Sequence, residues 1–541
     1  MVTSSPSMRI SRRASLSGLT VVALAIRFWV SRHLFVVSND AAGAYLYQAQ
    51  EMLRGNWRDG LGTVFPPGYP ALVSLLSRLQ IDLVDAGKLV SVLCGGLLVP
   101  AVFLLARRAY GEREAWIAAT LTALSPTLIS TSRDVATEAL FTLLLIATAI
   151  MGWGIMERGS PGCAAWAGFL FGMSYLVRPE AIGVLGVFIL VLAGIRALPS
   201  RGDFRSRRMR TELAWLVPLL SVFLAVSIPY FVLLRVRTEG WQLTGKAMLN
   251  LLAHDVNDAG GRVDYEIARY SLASDGKRLQ IELDAKKSVL SFIWEHRSRL
   301  FVKFLRNSIS VYLQYLPQVI SPVLWLLALI GVYRGRNEWT AAQATFFLGS
   351  YFAFPVGCYP LFWVEPRYFA PLVPIAIVFA SRGLALLPEP LSRESRGEGK
   401  QGRFLAVALT IVVLTTIWPV IDMVREIPLN YPMEHKEAGE WLRLRGRPHA
   451  RVMSRKALVA FYAGGVPVEL PFGSLDQTLT YADWMKVDYL VVDERYTVAS
   501  RPSLACLLEE KQNPRSLNVV YVSGGSAGHR LVIYDLQPQA L

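Results

Sequence analysis

The stretch Ser38–Pro70 reads SNDAAGAYLYQAQEMLRGNWRDGLGTVFPPGYP and is the first sizeable polar segment of the chain. It lies between two long apolar runs, Leu16–Val36 and Leu83–Ala106. It starts on a carboxylate, Asp40, where the first apolar run ends, and closes on the rigid turn Phe65-Pro66-Pro67-Gly68-Tyr69-Pro70 before the chain becomes apolar again. A polar loop held at both ends by membrane helices is a natural place for a site. The plainer alternative is that Asp40 only caps a surface helix over Ala41–Arg54, a position that favours Asp.

Outward from this loop the apolar runs recur. Of 541 residues 53% are hydrophobic and only 18% charged, with a mean hydropathy of +0.36. A soluble chain carries about 25% charged residues, so the deficit points to an α-helical polytopic membrane protein. About eleven runs approach the roughly 20 residues needed to span. After the first two they are Ala115–Ser130, Ala139–Met156, Ala164–Leu176, Ala181–Leu198, Leu213–Leu234, Leu316–Val332, Ala341–Cys358, Phe369–Leu387 and Phe404–Val424. Ser11-Arg12-Arg13 before the first run has no cleavage site behind it, and is read as the basic cytoplasmic end of a retained helix.

The formal charge of +15 does not signal nucleic acid, because the arginines sit in short tracts between apolar runs. With the N-terminus inside, Arg107-Arg108, Arg158, the Arg196–Arg210 tract, Arg334 with Arg336, and Arg393–Arg403 all fall on the cytoplasmic side, as the positive-inside rule requires. The loops at 37–82 and 236–315 and the tail then lie outside, in a cell-membrane protein with a cytoplasmic N-terminus. The chain divides into a membrane part, 1–424, and an extracytoplasmic α/β domain, 425–541. In the tail, β-branched runs at Ala450–Met453, Tyr489–Val492, Val519–Val522 and Leu531–Tyr534 alternate with helical patterns at Glu434–Leu444 and Leu504–Lys511. Gly464-Gly465 there is a turn, since no phosphate-binding glycine motif occurs.

Within the second outer loop, Val289, Phe292, Ile293, His296, Leu300, Phe301, Phe304 and Leu305 recur at helical spacing with Arg297, Arg299, Lys303 and Arg306 between them. This predicts a basic amphipathic helix on the bilayer face, an anchor or the flank of an access path for an anionic lipid.

Polar groups with chemical potential cluster on the outer face. They are Asp40; Arg133-Asp134 with Glu138, whose acids four apart predict one helical face; Arg178 with Glu180; and Glu365 with Arg367 and Tyr368. Ionisable groups at membrane depth are functional or paired. The structural alternatives are that Arg178 pairs Glu180 and Arg367 pairs Glu365 to steady two turns, and that Arg27, inside the first run, snorkels or forms a salt bridge. Four scattered cysteines and six histidines without ligand spacing indicate neither a disulfide framework nor a zinc site. A carboxylate facing arginines suits transfer from a lipid-linked phosphosugar: the acid takes a proton from an acceptor hydroxyl while the cations stabilise charge on the departing phosphate, with no cofactor.

The order of these features resembles the GT-C superfamily of polytopic glycosyltransferases, in the branch of the protein O-mannosyltransferases, the lipid A aminoarabinose transferase and the lipopolysaccharide-core transferases. The resemblance is carried by Asp40 with Ala44 and Tyr45, the Pro66–Pro70 turn with Tyr69, Thr137-Glu138-Ala139-Leu140, Arg178-Pro179-Glu180, Gly240-Trp241 to Lys246, and Arg367-Tyr368-Phe369 with Pro371 and Pro374, over roughly residues 15–385. It implies inverting transfer of a sugar from a polyprenyl phosphate to a glycan, lipid or protein acceptor, with Asp40 as base and Asp134 or Glu138 as a second acid. Tyr45, Tyr69, Arg178, Glu180, Lys246, Arg367 and Tyr368 are the expected substrate contacts; Arg178, Lys246 and Arg367 are chosen by location for the donor phosphate. Where many relatives have paired acids, Asn39 precedes Asp40, so no catalytic metal is expected; a divalent ion is possible but not indicated. The rival class is a transporter or flippase of lipid-linked sugars, for which two related halves with broken midplane helices are the usual sign. No internal repeat is visible here.

Overall fold

The computed structural model describes residues 6–197, 213–246, 251, 267, 269–279, 289–335, 339–362, 364–387, 410, 418–425, 431–509, 517–523 and 529–537. Helices cover ten of the expected apolar runs. They are α1 (Pro6–Arg32), α2 (Leu83–Ala109), α3 (Glu112–Leu124) with α4 (Pro126–Arg133), α5 (Glu138–Arg158), α6 (Pro161–Val177), α7 (Ala181–Ala197), α8 (Leu216–Thr238), α9 (Arg297–Ser310) leading to α10 (Pro322–Gly335), α11 (Trp339–Cys358) and α12 (Val373–Leu386). Among the described residues five helices are long and apolar enough to cross a membrane, or six if a bent pair counts as one span. The run Phe404–Val424 is described only at Thr410 and from Trp418 on, and the Arg196–Arg210 tract beyond Ala197 and the Arg393–Arg403 tract lie outside the described residues.

Two runs expected to be continuous are broken at Ser-Pro pairs. Pro126 has no N–H to give the carbonyl of Thr122 and forces Ser125 out of the helical region, so α3 ends and α4 begins. The orphaned carbonyls of Thr122 and Ala123 accept instead from Nη2 and Nη1 of Arg27, at 3.0 and 2.9 Å. Arg27 therefore neither snorkels nor forms a salt bridge: it is fully buried in α1 and caps the end of α3. At Ser321-Pro322 the segment Arg297–Val319 turns by 100° into α10. That segment has the expected amphipathic character, with Phe301, Val302, Leu305 and Ile309 exposed, but Lys303 is turned inward onto the carbonyl of Leu251.

The bundle is knit by close helix contacts. Gly168 and Gly172 of α6 face Leu219 and Val226 of α8, where any Cβ would collide with main chain or side chain. At the end of α12 away from the polar loops, Arg382 pairs with Glu114 of α3 at 2.9 Å.

The tail forms a five-stranded mixed sheet, β1 (Arg451–Ser454), β2 (Val466–Glu469), β3 (Tyr489–Asp493), β4 (Asn518–Ser523) and β5 (Leu531–Asp535), in the order β2-β1-β3-β5-β4. β1 runs parallel to β2 and β3, while β5 runs antiparallel to β3 and β4. Both faces are buried by alternation: Met453, Leu490, Val492, Val532 and Tyr534 on one, Val452, Tyr489, Val491, Leu531 and Ile533 on the other. The four expected strands and the helix α13 (Met433–Arg445) are present. β2, which contains Pro467, and the helix at Leu475–Trp484 were not anticipated, and in place of the α-helix expected over Leu504–Lys511 the described residues form a 3-10 turn, Pro502–Leu508. The short helix α14 (Leu458–Tyr462) leaves the sheet and inserts Leu458 among buried residues of the helical bundle.

Candidate active site

Asp40 does not cap the helix after it. Ser38 does, accepting the N–H of Ala41 on its hydroxyl at 3.3 Å and that of Ala42 on its carbonyl at 3.0 Å. The Asp40 carboxylate is thereby left to accept from Nη2 of Arg367 at 2.8 Å, across 327 residues of chain. Both side chains stay partly open, 35% and 41% exposed. Arg367 is held in a 3-10 turn, Pro366–Leu372, and its Nε also bonds Glu365 at 2.6 Å. The expected pair exists, but the same guanidinium spans from Glu365 to Asp40.

Glu138 opens α5 and points at two arginines: Nη1 of Arg178 lies 3.4 Å away and Nε of Arg367 4.0 Å. Arg178 ends α6 in an extended conformation imposed by the following Pro179, and also meets Glu180 at 3.4 Å. Its plane lies against the rings of Phe141 and Tyr368, 5.5 and 5.2 Å from their centroids. Lys246 approaches the rings of Phe65 and Tyr368 at 5.4 and 5.7 Å. Tyr45 is buried edge-on against Phe65.

These groups line one cleft: Asp40, Tyr45, Glu138, Arg178, Glu180, Lys246, Arg367 and Tyr368, with Val64, Phe65, Pro66, Thr137, Val177 and Pro179 between them. Phe65, the ring under Lys246, was legible only as part of a proline-rich turn. Asp134 and Tyr69 stand outside the lining. Asp134 is not on a helical face with Glu138, because α4 ends before it and its extended backbone lets its carboxylate accept the next N–H, of Val135, at 2.7 Å. Burial pushes its carboxyl up to about 6, against the pull of that N–H, Arg133 and Lys88. Tyr69 is fully buried, donating to the carbonyl of Gly87 at 2.9 Å and lying 3.1 Å from the hydroxyl of Ser91.

The electrostatics of the cleft balance burial against neighbours. Burial alone would raise the Asp40 carboxyl, but Arg367, and beyond it Lys246 and Lys456, hold it below the usual range. Glu180 is likewise lowered by Arg178 and Lys246 against its burial. Burial depresses Lys246 despite support from Glu180. Arg178 overcomes burial through Glu180 and Glu138 and is more firmly charged than a free arginine. Among the described residues of the cleft, two buried ionic atoms have no hydrogen-bond partner, Nη1 of Arg178 and Oε2 of Glu180. The cleft thus offers a fixed donor for an anion and a fixed acceptor for a hydroxyl. Among the described residues no group of three or more His, Cys, Asp or Glu side chains is arranged to hold a metal ion.

Residues 65–232 match the family described as dolichyl-phosphate-mannose-protein mannosyltransferase. The fold matches the crystal structure of ArnT from Cupriavidus metallidurans bound to undecaprenyl phosphate with a TM-score of 0.56 at 15% identity, over 96% of this chain and 98% of that one. The chain has the GT-C fold. ArnT in the apo state gives a TM-score of 0.58 at 15% identity, over 97% of this chain and 98% of that one. The GT-C fold is shared as well with the archaeal oligosaccharyltransferase AglB from Archaeoglobus fulgidus, in complex with an inhibitory peptide and a dolichol-phosphate, with a TM-score of 0.56 at 13% identity, over 98% of this chain and 75% of that one. No curated protein matches the chain by sequence. At these identities the likeness to the solved structures is one of fold, a multi-pass membrane glycosyltransferase fold with a small sheet domain at its C-terminal end.

Proposed function

We propose that this protein transfers one sugar from a polyprenyl-phosphate donor to an acceptor outside the cytoplasm, by an inverting displacement in which Asp40 is the base. The observation that carries the reading is the Asp40–Arg367 contact, which sets a carboxylate and three cations, Arg178, Lys246 and Arg367, around one cleft at the ends of membrane helices. The lipids bound to ArnT and AglB support a lipid-linked donor in this fold.

In this mechanism the donor phosphate lies against Lys246 and Nη1 of Arg178, which faces Glu138 at 3.4 Å without a hydrogen bond, and the sugar reaches toward Oε2 of Glu180. Asp40, ionised at neutral pH, takes the proton of the acceptor hydroxyl. The acceptor oxygen bonds the anomeric carbon from the face opposite the phosphate, and the carbon–oxygen bond to the phosphate breaks with its electron pair passing to the lipid phosphate. Arg178 and Lys246 stabilise that charge without rearranging, while Arg367 stays on Asp40. Glu138 is the second acid of the cleft and fixes both arginines; Tyr69 packs edge-on behind Tyr45, and Asp134 lies outside the cleft. The membrane part is assigned to 1–424 and the C-terminal domain to 425–541, with the cleft and that domain on the extracytoplasmic face by the arginine distribution.

The test is turnover of purified protein beside Asp40→Asn, with labelled undecaprenyl-phosphate mannose, glucose and aminoarabinose and a host membrane extract as acceptor source. Release by the parent, reduced on the order of 10²–10⁴-fold in a folded Asp40→Asn, is the expected result. Equal turnover in both removes Asp40 as base. Donor crossing vesicle bilayers with no sugar released turns the assignment to a flippase.

A further inference from the structure

Every residue that lines the cleft comes from the helical part of the chain, yet the segment that carries Asp40 is tied to the C-terminal domain. Between the end of α1 and Asp40 the chain makes contacts at alternate residues. The carbonyl of Phe35 accepts from Nζ of Lys436 at 3.1 Å. The N–H of Val37 donates to the hydroxyl of Tyr462 at 3.1 Å. The side-chain oxygen of Asn39 accepts from the N–H of Ala457 at 3.0 Å. Just past Asp40, a Cβ on Gly43 would lie 3.0 Å from that of Ala457, so the two segments touch and need part by only a few tenths of an ångström to admit a side chain at Gly43. α14 follows directly from Ala457 and anchors its first residue, Leu458, in the bundle.

Asn39 contributes its side chain to this set, and it stands next to the residue assigned as base. Held by Ala457 on one side, the backbone at Asn39 fixes the direction in which Asp40 leaves the chain, and Arg367 receives it on the other. We propose that Asn39 is a positioning residue for sugar transfer: through the Ala457 N–H, the C-terminal domain aims the Asp40 carboxylate, so that domain takes part in turnover without touching either substrate. The proposal rests on the glycosyltransferase reading above. Lys456, next to Ala457, adds to the cationic surroundings that hold Asp40 ionised, which agrees with the close approach of this segment.

The contact can be broken from either side. Asn39→Leu removes the acceptor. Ala457→Pro removes the donor, at a backbone φ of −67° that proline adopts without strain. Asn39→Asp keeps an acceptor oxygen at the same position. With labelled undecaprenyl-phosphate sugar as donor, Asn39→Leu and Ala457→Pro are each expected to lower kcat on the order of tenfold to a hundredfold, the cost of misaiming a catalytic group by about 1 Å, with KM for the donor unchanged. Asn39→Asp is expected to keep the parent's kcat, a rescue that general loss of folding does not produce. Paired Gly43→Cys and Ala457→Cys substitutions are expected to crosslink on oxidation, reporting the contact itself independently of catalysis. An active parent whose Asn39→Leu and Ala457→Pro variants keep kcat overturns this proposal and leaves the glycosyltransferase reading standing. Failure of the cysteine pair to crosslink in an active protein also overturns it. A parent that moves no sugar from any of these donors overturns the glycosyltransferase reading, and this proposal with it.

Discussion

Arg178→Met is the most informative change to the cleft, because its effect on stability is set by charges that can be titrated. Arg178 and Glu138 are 6% and 7% exposed at the side chain, and Glu180 is 22% exposed. Methionine fills most of the arginine's volume, so the loss is mainly electrostatic: the buried Glu138 keeps only the more distant Arg367 at 4.0 Å, and the partly buried Glu180 loses its partner at 3.4 Å. Breaking a buried pair from one side costs about 3–5 kcal/mol. The distances here exceed those of a close ion pair, which places the expected loss near the lower figure, about 3 kcal/mol at neutral pH. The sign with pH comes from Glu180. Its carboxyl is held below the ordinary value by Arg178, so in the parent it contributes stability that is present above the unfolded value and is lost as pH falls through the folded one. Arg178→Met gives up that contribution at all pH values. The gap in thermal midpoint between parent and variant, measured in detergent from neutral pH downward, is therefore expected to narrow on acidification. Adding Glu180→Gln to Arg178→Met is expected to recover part of the midpoint and none of the turnover, since the phosphate contact is still missing. A variant as stable as the parent at neutral pH, or a gap that widens in acid, refutes the reasoning.

Two further outcomes are expected. Tyr69→Phe removes a buried hydroxyl shared between Gly87 and Ser91, so it is expected to cost about 1 kcal/mol of stability while KM for the donor holds; a raised KM in a protein of parental stability returns Tyr69 to the substrate. In the C-terminal domain His435 is buried between Glu434 and Asp493, at 3.5 and 3.7 Å, and these carboxylates raise it against its burial. Its contribution is full below the unfolded value of about 6.5 and is lost as pH rises through the folded one, so hydrogen exchange at β3 in the full chain is expected to accelerate with pH beyond its intrinsic increase, and His435→Gln is expected to abolish that excess. An excess that persists in His435→Gln contradicts it.

The helical architecture was legible because apolar length is a strong and local signal, and most of the cleft was legible because ionisable residues at helix ends are scarce in such a chain. The features that escaped depended on contacts between distant segments. Ser125-Pro126 and Ser321-Pro322 were in plain view, but whether a proline kinks a span or ends it depends on which group takes up the freed carbonyls, and for α3 that is Arg27, about a hundred residues earlier. Spacing alone put Asp134 on a face with Glu138; the helix break before it undid the periodicity. Asn39 read as a departure from a pattern of paired acids, since nothing local announces that its partner is the main chain of Ala457. β2 was lost for the opposite reason: Gly464-Gly465 and Pro467 signal a turn, and only the parallel neighbour β1 makes a strand of Val466–Glu469.

Arg27 also bears on biogenesis. When α1 emerges from the ribosome it carries an arginine in its apolar stretch, at a cost of about 2.5–3.5 kcal/mol near a helix centre, and within its own helix that arginine reaches the carbonyl of Ala23. The carbonyls of Thr122 and Ala123 appear only after some ninety more residues have been synthesised. α1 is therefore a weakly committed insertion on its own and becomes locked when α3 arrives beside it. An orderly handover, in which the insertion machinery shelters the first helix until the third is ready, is the assembly route that this arginine calls for.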